Sequence, residues 1–109
     1  MPHDAEEKEL ASRIAKALSQ VGFFIGHREV DDPRRVSRLI SRLGLEQVIE
    51  LRFIDRQRTF YIIEPSRRPC RSKCIGECGR GNPACISSCE ERCSHELREK
   101  IAEALRNAR

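Results

Sequence analysis

The chain has 109 residues, of which 35% are charged and only 5% are aromatic, and its formal net charge is +4 at pH 7. That length suits one compact domain with a small appendage and excludes two independently stable cores. Aliphatic residues and four phenylalanines must build a thin core. Six cysteines are available for the cross-links or the metal site that such a small core often needs.

The opening sequence and the cysteines together suggest a cellular setting. Residues 1–7 show no basic segment before an apolar one, and no apolar run approaches membrane-spanning length, so we expect a cytoplasmic protein without a membrane partner. Paired cysteines are rare in a mesophile cytosol but occur inside hyperthermophiles. Arginine accounts for 17 of the 21 basic residues and glutamate for 13 of the 17 acidic ones, which suits dense ion pairing. We therefore expect a hyperthermophilic archaeon or one of its viruses as the source.

The first half of the chain predicts a helix, a strand and a second helix. Residues 4–20 carry apolar side chains at helical spacing, with Asp4 as the N-cap. Residues 23–30 are rich in strand-forming types. Asp32 is a suitable N-cap for the second helix, which is predicted over residues 33–43.

The following segment predicts a β-hairpin and then a linker. Residues 46–53 and 59–63 have strand-like patterns, and residues 55–58 join them as a hairpin turn. Two prolines within residues 65–69 mark a linker. A right-handed crossover predicts that the first two strands are parallel, with the third strand antiparallel at an edge of the sheet.

These elements predict an α+β fold, in which an α-β-α-β-β unit with a small three-stranded sheet precedes a cysteine-stapled helical hairpin. The predicted division is a small α/β domain over 1–64, a Pro/Arg linker over 65–69, and a hairpin with an extended C-terminal helix over 70–109. Over residues 4–64 the element order resembles the later part of the Alba-type chromatin-protein fold, without its opening strand and lysine loop. It resembles more loosely a winged helix that lacks its second helix.

Six cysteines form two triplets with C-x3-C-x3-C spacing. They are Cys70, Cys74, Cys78, Cys85, Cys89 and Cys93. In a helix, four residues advance by about 400°, so each triplet lies on one stripe. Residues 79–83 between the triplets suit a helix end, a turn and a new helix start. Antiparallel helices then predict the disulfides Cys70–Cys93, Cys74–Cys89 and Cys78–Cys85.

This framework resembles the α-hairpinin type of helical hairpin over residues 70–93, with a third cross-link added. The resemblance implies a scaffold and carries no activity. A metal site is the alternative, because cysteines four residues apart on a helix can chelate one ion. The zinc ligands would be Cys70, Cys74, Cys89 and Cys93, and an iron–sulfur cluster would also use four thiols. Both leave two of the six thiols idle, so disulfides without a cofactor are the favoured prediction.

No motif predicts catalysis. The nearest is His27-x-Glu29 together with Pro69-Cys70, which is similar to elements of zinc deaminases. The spacing fails, because three residues separate neighbouring cysteines here and that motif has two. We therefore expect a protein that is not an enzyme.

The arginines predict binding to nucleic acid. Residues 51–73 contain seven basic and two acidic residues, so the net charge of this segment exceeds the +4 of the whole chain. A helical stripe of arginines suits phosphate contacts, and a basic hairpin tip suits a groove. The candidate contacts are Arg34, Arg38, Arg42, Arg52, Arg56, Arg58, Arg67 and Arg68. We expect no exposed aromatic residues, which argues against stacking on single strands. The alternative for the arginines is ion pairing with glutamates on a solvated surface.

A protein-interaction module is the second functional hypothesis. The C-terminal helix carries an apolar stripe that is expected to dock on the sheet or on a partner. Its residues are Leu97, Ile101, Ala104, Leu105 and Ala108. Either this stripe or an edge strand at residues 59–63 would then make a homodimer or a contact with a larger complex.

Overall fold

The fold is a three-stranded sheet with four helices, and the computed structural model describes residues 2–107, with side chains from residue 5 onward. The elements are α1 (Pro2–Gln20), β1 (Phe24–His27), α2 (Pro33–Arg42), β2 (Ile49–Phe53), β3 (Phe60–Pro65), α3 (Arg68–Cys78) and α4 (Pro83–Arg106). The predicted α+β class with a C-terminal helical hairpin is confirmed. Helix α1 begins before Asp4, so the predicted N-cap is wrong in position, and the side chain of Asp4 and all of Ala108 lie outside the described residues.

Local rules set the ends of the helices. Asp32 Oδ1 accepts the backbone N–H of Arg34 at 2.9 Å and caps α2, and Pro33 occupies its first turn. Asn82 Oδ1 caps α4 in the same way, accepting the backbone N–H of Cys85 at 3.2 Å. The cap at Asp32 lies where the sequence predicts it, and Asn82 lies within residues 79–83, where the sequence predicts a new helix start.

The order of the strands differs from the prediction. The sheet order is β1-β3-β2, and β3 pairs antiparallel with both neighbours. Strand β3 is thus central, and the prediction that residues 59–63 form an edge strand is wrong. Strands β1 and β2 run parallel, as the crossover through α2 predicts, but they do not pair. The crossover leaves a gap one strand wide between β1 and β2, and β3 fills it.

One face of the sheet, the inner face, packs against the helices. The buried side chains come from all three strands and from three helices. The larger ones are Leu10, Ile14, Leu18, Phe24, Val36, Leu39, Ile49, Tyr61, Ile63, Ile101 and Leu105. The C-terminal half of α4 lies against α1 and β3. The apolar stripe of that helix therefore docks within the chain, and its predicted use as a partner surface is wrong for the buried residues Ile101 and Leu105.

Tyr61 is the largest fully buried side chain and sits at the centre of the inner face. Its hydroxyl donates a hydrogen bond to the carbonyl oxygen of Asp31 at 2.8 Å. Burial raises the pKa of Tyr61 to about 12, so the group stays protonated and keeps this bond. Gly26 pairs with Tyr61 across the sheet, and a Cβ atom at Gly26 would collide with the tyrosine ring. The close approach of ring and backbone requires glycine at this position.

Helix α3 and the first part of α4 form an antiparallel pair, the cysteine hairpin (residues 68–96). The three disulfides are Cys70–Cys93, Cys74–Cys89 and Cys78–Cys85, which is the predicted pairing. All six thiols are used in these bonds, so the zinc and iron–sulfur alternatives do not describe this state. Within residues 68–96, all of them described, no aliphatic side chain is buried. The hairpin extends the molecule, whose radius of gyration is 15.3 Å, against about 13 Å for a compact domain of this size.

Candidate nucleic-acid interface

The β2–β3 hairpin and helix α2 enclose an open groove of about 790 Å³. We call it the arginine groove. Its lining residues are Asp32, Pro33, Arg34, Ser37, Arg38, Leu51, Phe53 and Arg58. Three of the eight arginines that the sequence marks as nucleic-acid contacts are among them. The groove thus brings the helical stripe together with the hairpin tip, which lies far from it in sequence.

Helix α2 supplies one positively charged wall. Its apolar face, with Val36 and Leu39, is buried in the core, so the opposite positions face solvent. Arg34 and Arg38 lie one helical turn apart on the exposed side. The Arg34 side chain is 86% exposed and reaches the carboxylate of Asp32 at 3.4 Å, while Arg38 Nε donates to the Arg34 carbonyl oxygen at 3.4 Å. These contacts are long, and most of the guanidinium N–H donors remain available.

Asp32 places one negative charge at the rim of the groove. The backbone N–H of Arg34 donates to its carboxylate, and this bond, with the Arg34 guanidinium, holds the pKa of Asp32 below its ordinary value. The carboxylate is therefore ionised at neutral pH. Three guanidinium groups against one carboxylate leave the lining of the groove positive.

The turn between β2 and β3 supplies the second wall. The carboxylate of Asp55 accepts hydrogen bonds from the backbone N–H groups of Phe60 and Thr59, at 2.9 and 3.0 Å. These bonds, chiefly the one from Phe60, lower the pKa of Asp55. Within this closed turn, Arg58 has a φ of 57°, which is uncommon for a residue other than glycine. Its guanidinium carbon lies 5.5 Å from the centre of the Phe53 ring. The turn thereby aims a cation across an exposed aromatic ring.

Three phenylalanines are exposed, so the expectation that the protein exposes no aromatic residues is wrong. The Phe53 residue is 37% exposed, although its ring meets the buried ring of Tyr61 edge to face at 6.4 Å. It belongs to the inner face, but β2 is an edge strand and the groove separates its end from α2. Phe23 and Phe60 are exposed as well. Composition alone did not reveal this, because exposure of Phe53 follows from the strand order.

Five candidate arginines lie outside the groove. They are Arg42, Arg52, Arg56, Arg67 and Arg68. Arg42 pairs with Glu7 at 2.8 Å, and Arg52 pairs with Glu64 at 3.1 Å. Arg67 lines a separate concavity of about 310 Å³ that also contains glutamates. The alternative prediction, ion pairing with glutamate on the surface, therefore describes Arg42 and Arg52.

The opposite face of the sheet carries an exposed apolar patch beside the charged residues of β2. We call it the outer face and define it by Ile25, Ile54 and Phe60, whose residues are 51%, 53% and 45% exposed. Ile25 pairs with Ile62 across the sheet, and the ring of His27 meets Phe60 edge to face at 4.9 Å. Sequence reasoning missed this surface, because the same residues would be covered in a sheet with helices on both faces.

Comparisons of the chain with protein-family models, with curated proteins and with solved structures found no match. None of the helices within residues 2–107 has the length and apolarity needed to span a bilayer. In the same part of the chain, no group of three or more His, Cys, Asp or Glu side chains is placed to hold a metal ion. The shape and charge of the arginine groove are therefore the basis for a functional assignment.

Proposed function

We propose that this protein binds nucleic acid and that the arginine groove is its main contact surface. The observation that supports this most directly is the convergence of Arg34, Arg38 and Arg58 on one groove. Each guanidinium has five N–H donors, and the contacts described for Arg34 and Arg38 are long. Phosphate oxygens match the planar donor fork of arginine in charge and geometry.

A salt-dependent affinity follows from this surface. Binding phosphates releases condensed counterions, so the affinity should fall as the salt concentration rises. Arg56 is exposed in the same turn as Arg58 and adds to the positive field of the groove. Arg67 and Arg68 follow β3 at the opposite end of the sheet, and Arg67 lies near glutamates, so we expect a smaller contribution from both. Arg42 and Arg52 would contribute less, because each already pairs with a glutamate.

The test is fluorescence anisotropy with labelled DNA, duplex and single-stranded, at several salt concentrations. We expect binding at low salt, and we expect the double substitution Arg34→Ala/Arg38→Ala to reduce the salt slope by up to about 2, since each lost phosphate contact removes roughly 0.9. The matched control is Arg71→Ala/Arg80→Ala, which removes the same charge from exposed positions of the cysteine hairpin. Absence of binding to every probe at low salt, or an equal loss in both variants, would contradict the proposal.

The proposal also covers the type of nucleic acid, the cellular location and the role of the cysteine hairpin. We propose that the nucleic acid is DNA and that the protein acts by binding and not by catalysis. We place it in the cytoplasm of a hyperthermophilic archaeon or in a virus of one, where intracellular disulfides persist. The cysteine hairpin would serve there as a rigid scaffold of the α-hairpinin type.

A homodimer is the second candidate function, favoured by the sequence of the edge strand β2. Glu50 and Arg52 lie on the outer face on either side of Leu51. If two copies of β2 pair antiparallel about Leu51, Glu50 of one copy lies opposite Arg52 of the other, and both cross-strand pairs are oppositely charged.

Charge reversal tests this dimer. Glu50→Arg or Arg52→Glu alone places like charges opposite each other and should lower the dimer fraction measured by sedimentation velocity. The combined variant Glu50→Arg/Arg52→Glu restores opposite charges and should recover it. A wild-type protein that sediments as a monomer at all concentrations would refute this candidate and leave nucleic-acid binding unaffected.

A further inference from the structure

The lining of the arginine groove bears on which form of nucleic acid it can bind. The groove is shallow and more open than enclosed, with a volume of about 790 Å³. A duplex keeps its bases stacked inside and presents its phosphate backbone, so it offers no base face to the floor of the groove. An unpaired nucleotide can turn its base outward and lay it against that floor.

The floor of the groove offers a surface for a base. Leu51 and Phe53 point into it from β2, and Phe53 keeps more than a third of its surface exposed. Base stacking on an aromatic ring needs a flat exposed ring, and it tolerates any base because every base has a π-face. The Arg58 guanidinium lies over the Phe53 ring, 5.5 Å from its centre, so a base can stack on this face only if Arg58 moves aside.

The walls offer positions for phosphates on either side of that base. Arg34 and Arg38 follow the α2 wall one turn apart, and Arg58 faces them from the hairpin turn. We propose that the groove takes a single nucleic-acid strand, with one unpaired base stacked on Phe53 and its neighbouring phosphates bound by Arg34 and Arg38. Arg58 moves from the ring to a phosphate when the base enters. This inference rests on the proposed function and specifies which nucleic acid the groove accepts.

The first experiment compares two phenylalanines. Fluorescence anisotropy is measured with a short labelled single-stranded DNA of mixed sequence and with its duplex, at one low salt concentration. We expect the single strand to bind more tightly, and Phe53→Leu to weaken its binding about 10-fold by removing one stacked base. Phe60→Leu is the matched control, because Phe60 is at least as exposed as Phe53, at 45% against 37%, but lies on the outer face. Phe53→Tyr keeps the ring and should retain the affinity.

The outcomes separate the inference from the proposed function. Equal binding of strand and duplex, with no effect of Phe53→Leu, overturns the single-strand inference and leaves nucleic-acid binding in place. A loss in Phe60→Leu instead of Phe53→Leu assigns the strand to the outer face and also overturns it. Absence of binding to both probes refutes the proposed function itself.

A second measurement uses the wild-type protein and so does not depend on how a variant folds. Ultraviolet cross-linking to a single strand that contains 5-iodouracil attaches the base to an adjacent aromatic side chain. Trypsin then releases Phe53 in the peptide 53–56 and Phe60 in the peptide 59–67, because arginines border both. A cross-link in 53–56 supports the inference, and a cross-link confined to 59–67 contradicts it.

Discussion

The two ends of helix α4 are held in place by different forces. Its first part is joined to α3 by three disulfides, and no aliphatic side chain of that pair is buried within residues 68–96. Its last part buries Ile101 and Leu105 against α1 and the sheet. One continuous helix of 24 residues therefore crosses from a covalent scaffold into an apolar core.

The difference shows how each region depends on the rest of the chain. An apolar core needs surfaces from distant segments, and here three helices and three strands contribute to it. The cysteine hairpin needs only its own two helices, because its cross-links act largely by restricting the unfolded chain. We therefore expect the two regions to respond separately to reduction and to core mutation.

Reduction of the disulfides should have the largest effect. Each bridge contributes about 2–4 kcal/mol, and the hairpin has no buried aliphatic side chains to replace them. We expect α3 and the first part of α4 to unfold in reductant, while the sheet persists. Hydrogen exchange followed by mass spectrometry should show faster exchange over residues 68–96 and unchanged protection over β1, β2 and β3. Equal loss of protection in the sheet would contradict the separation of the two regions.

Truncation of a core side chain should destabilise the apolar core, the second of the two regions compared. Ile101→Ala removes a side chain that is fully buried between α4 and α1, and we expect a loss of about 2–5 kcal/mol in the free energy of unfolding. The control is Ile86→Ala, at a half-buried position of the same helix within the cysteine hairpin. Denaturant unfolding under oxidising conditions measures both. Equal losses in the two variants would mean that the hairpin also depends on apolar packing.

Sequence reasoning succeeded where the governing interactions are short in range. The cap at Asp32 and the pairing of the cysteines depend on local spacing, and both are found as predicted. The order of the strands depends on which segment fills the gap beside β1, and no local pattern encodes that choice. The same limit applies to prediction of the groove. The sequence predicts the exposed stripe with Arg34 and Arg38, but the position of that stripe opposite Arg58 follows from β2 lying at the edge of the sheet.

Substitution of Gly26 tests how tightly the inner face of the sheet is packed. The Cβ atom of Gly26→Ala would collide with the ring of Tyr61, and that ring is fixed by burial and by its bond to the Asp31 carbonyl oxygen. Overpacking of this kind costs about 1–3 kcal/mol. Thermal unfolding should show the loss, and Gly76→Ala is the control, because a Cβ at that position in α3 meets open space. A larger effect of Gly76→Ala than of Gly26→Ala would contradict this account of the core.

The β2–β3 turn depends on neither apolar burial nor a covalent bond, and its substitution should have the smallest effect. Asp55 accepts the backbone N–H groups of Phe60 and Thr59, and these bonds lower its pKa from the ordinary 3.8. A lowered folded-state pKa means that the charged carboxylate stabilises the fold fully above pH 3.8, and that this contribution is lost as the pH falls through the lowered value. The difference in melting temperature between wild type and Asp55→Asn should therefore be constant at neutral pH and shrink in acid. A difference that grows as the pH falls would contradict this sign. Arg58 belongs to the same turn, so loosening the turn should displace the Arg58 side chain from the groove. Asp55→Asn should therefore also weaken the binding of a single strand at neutral pH, although it removes no positive charge from the groove.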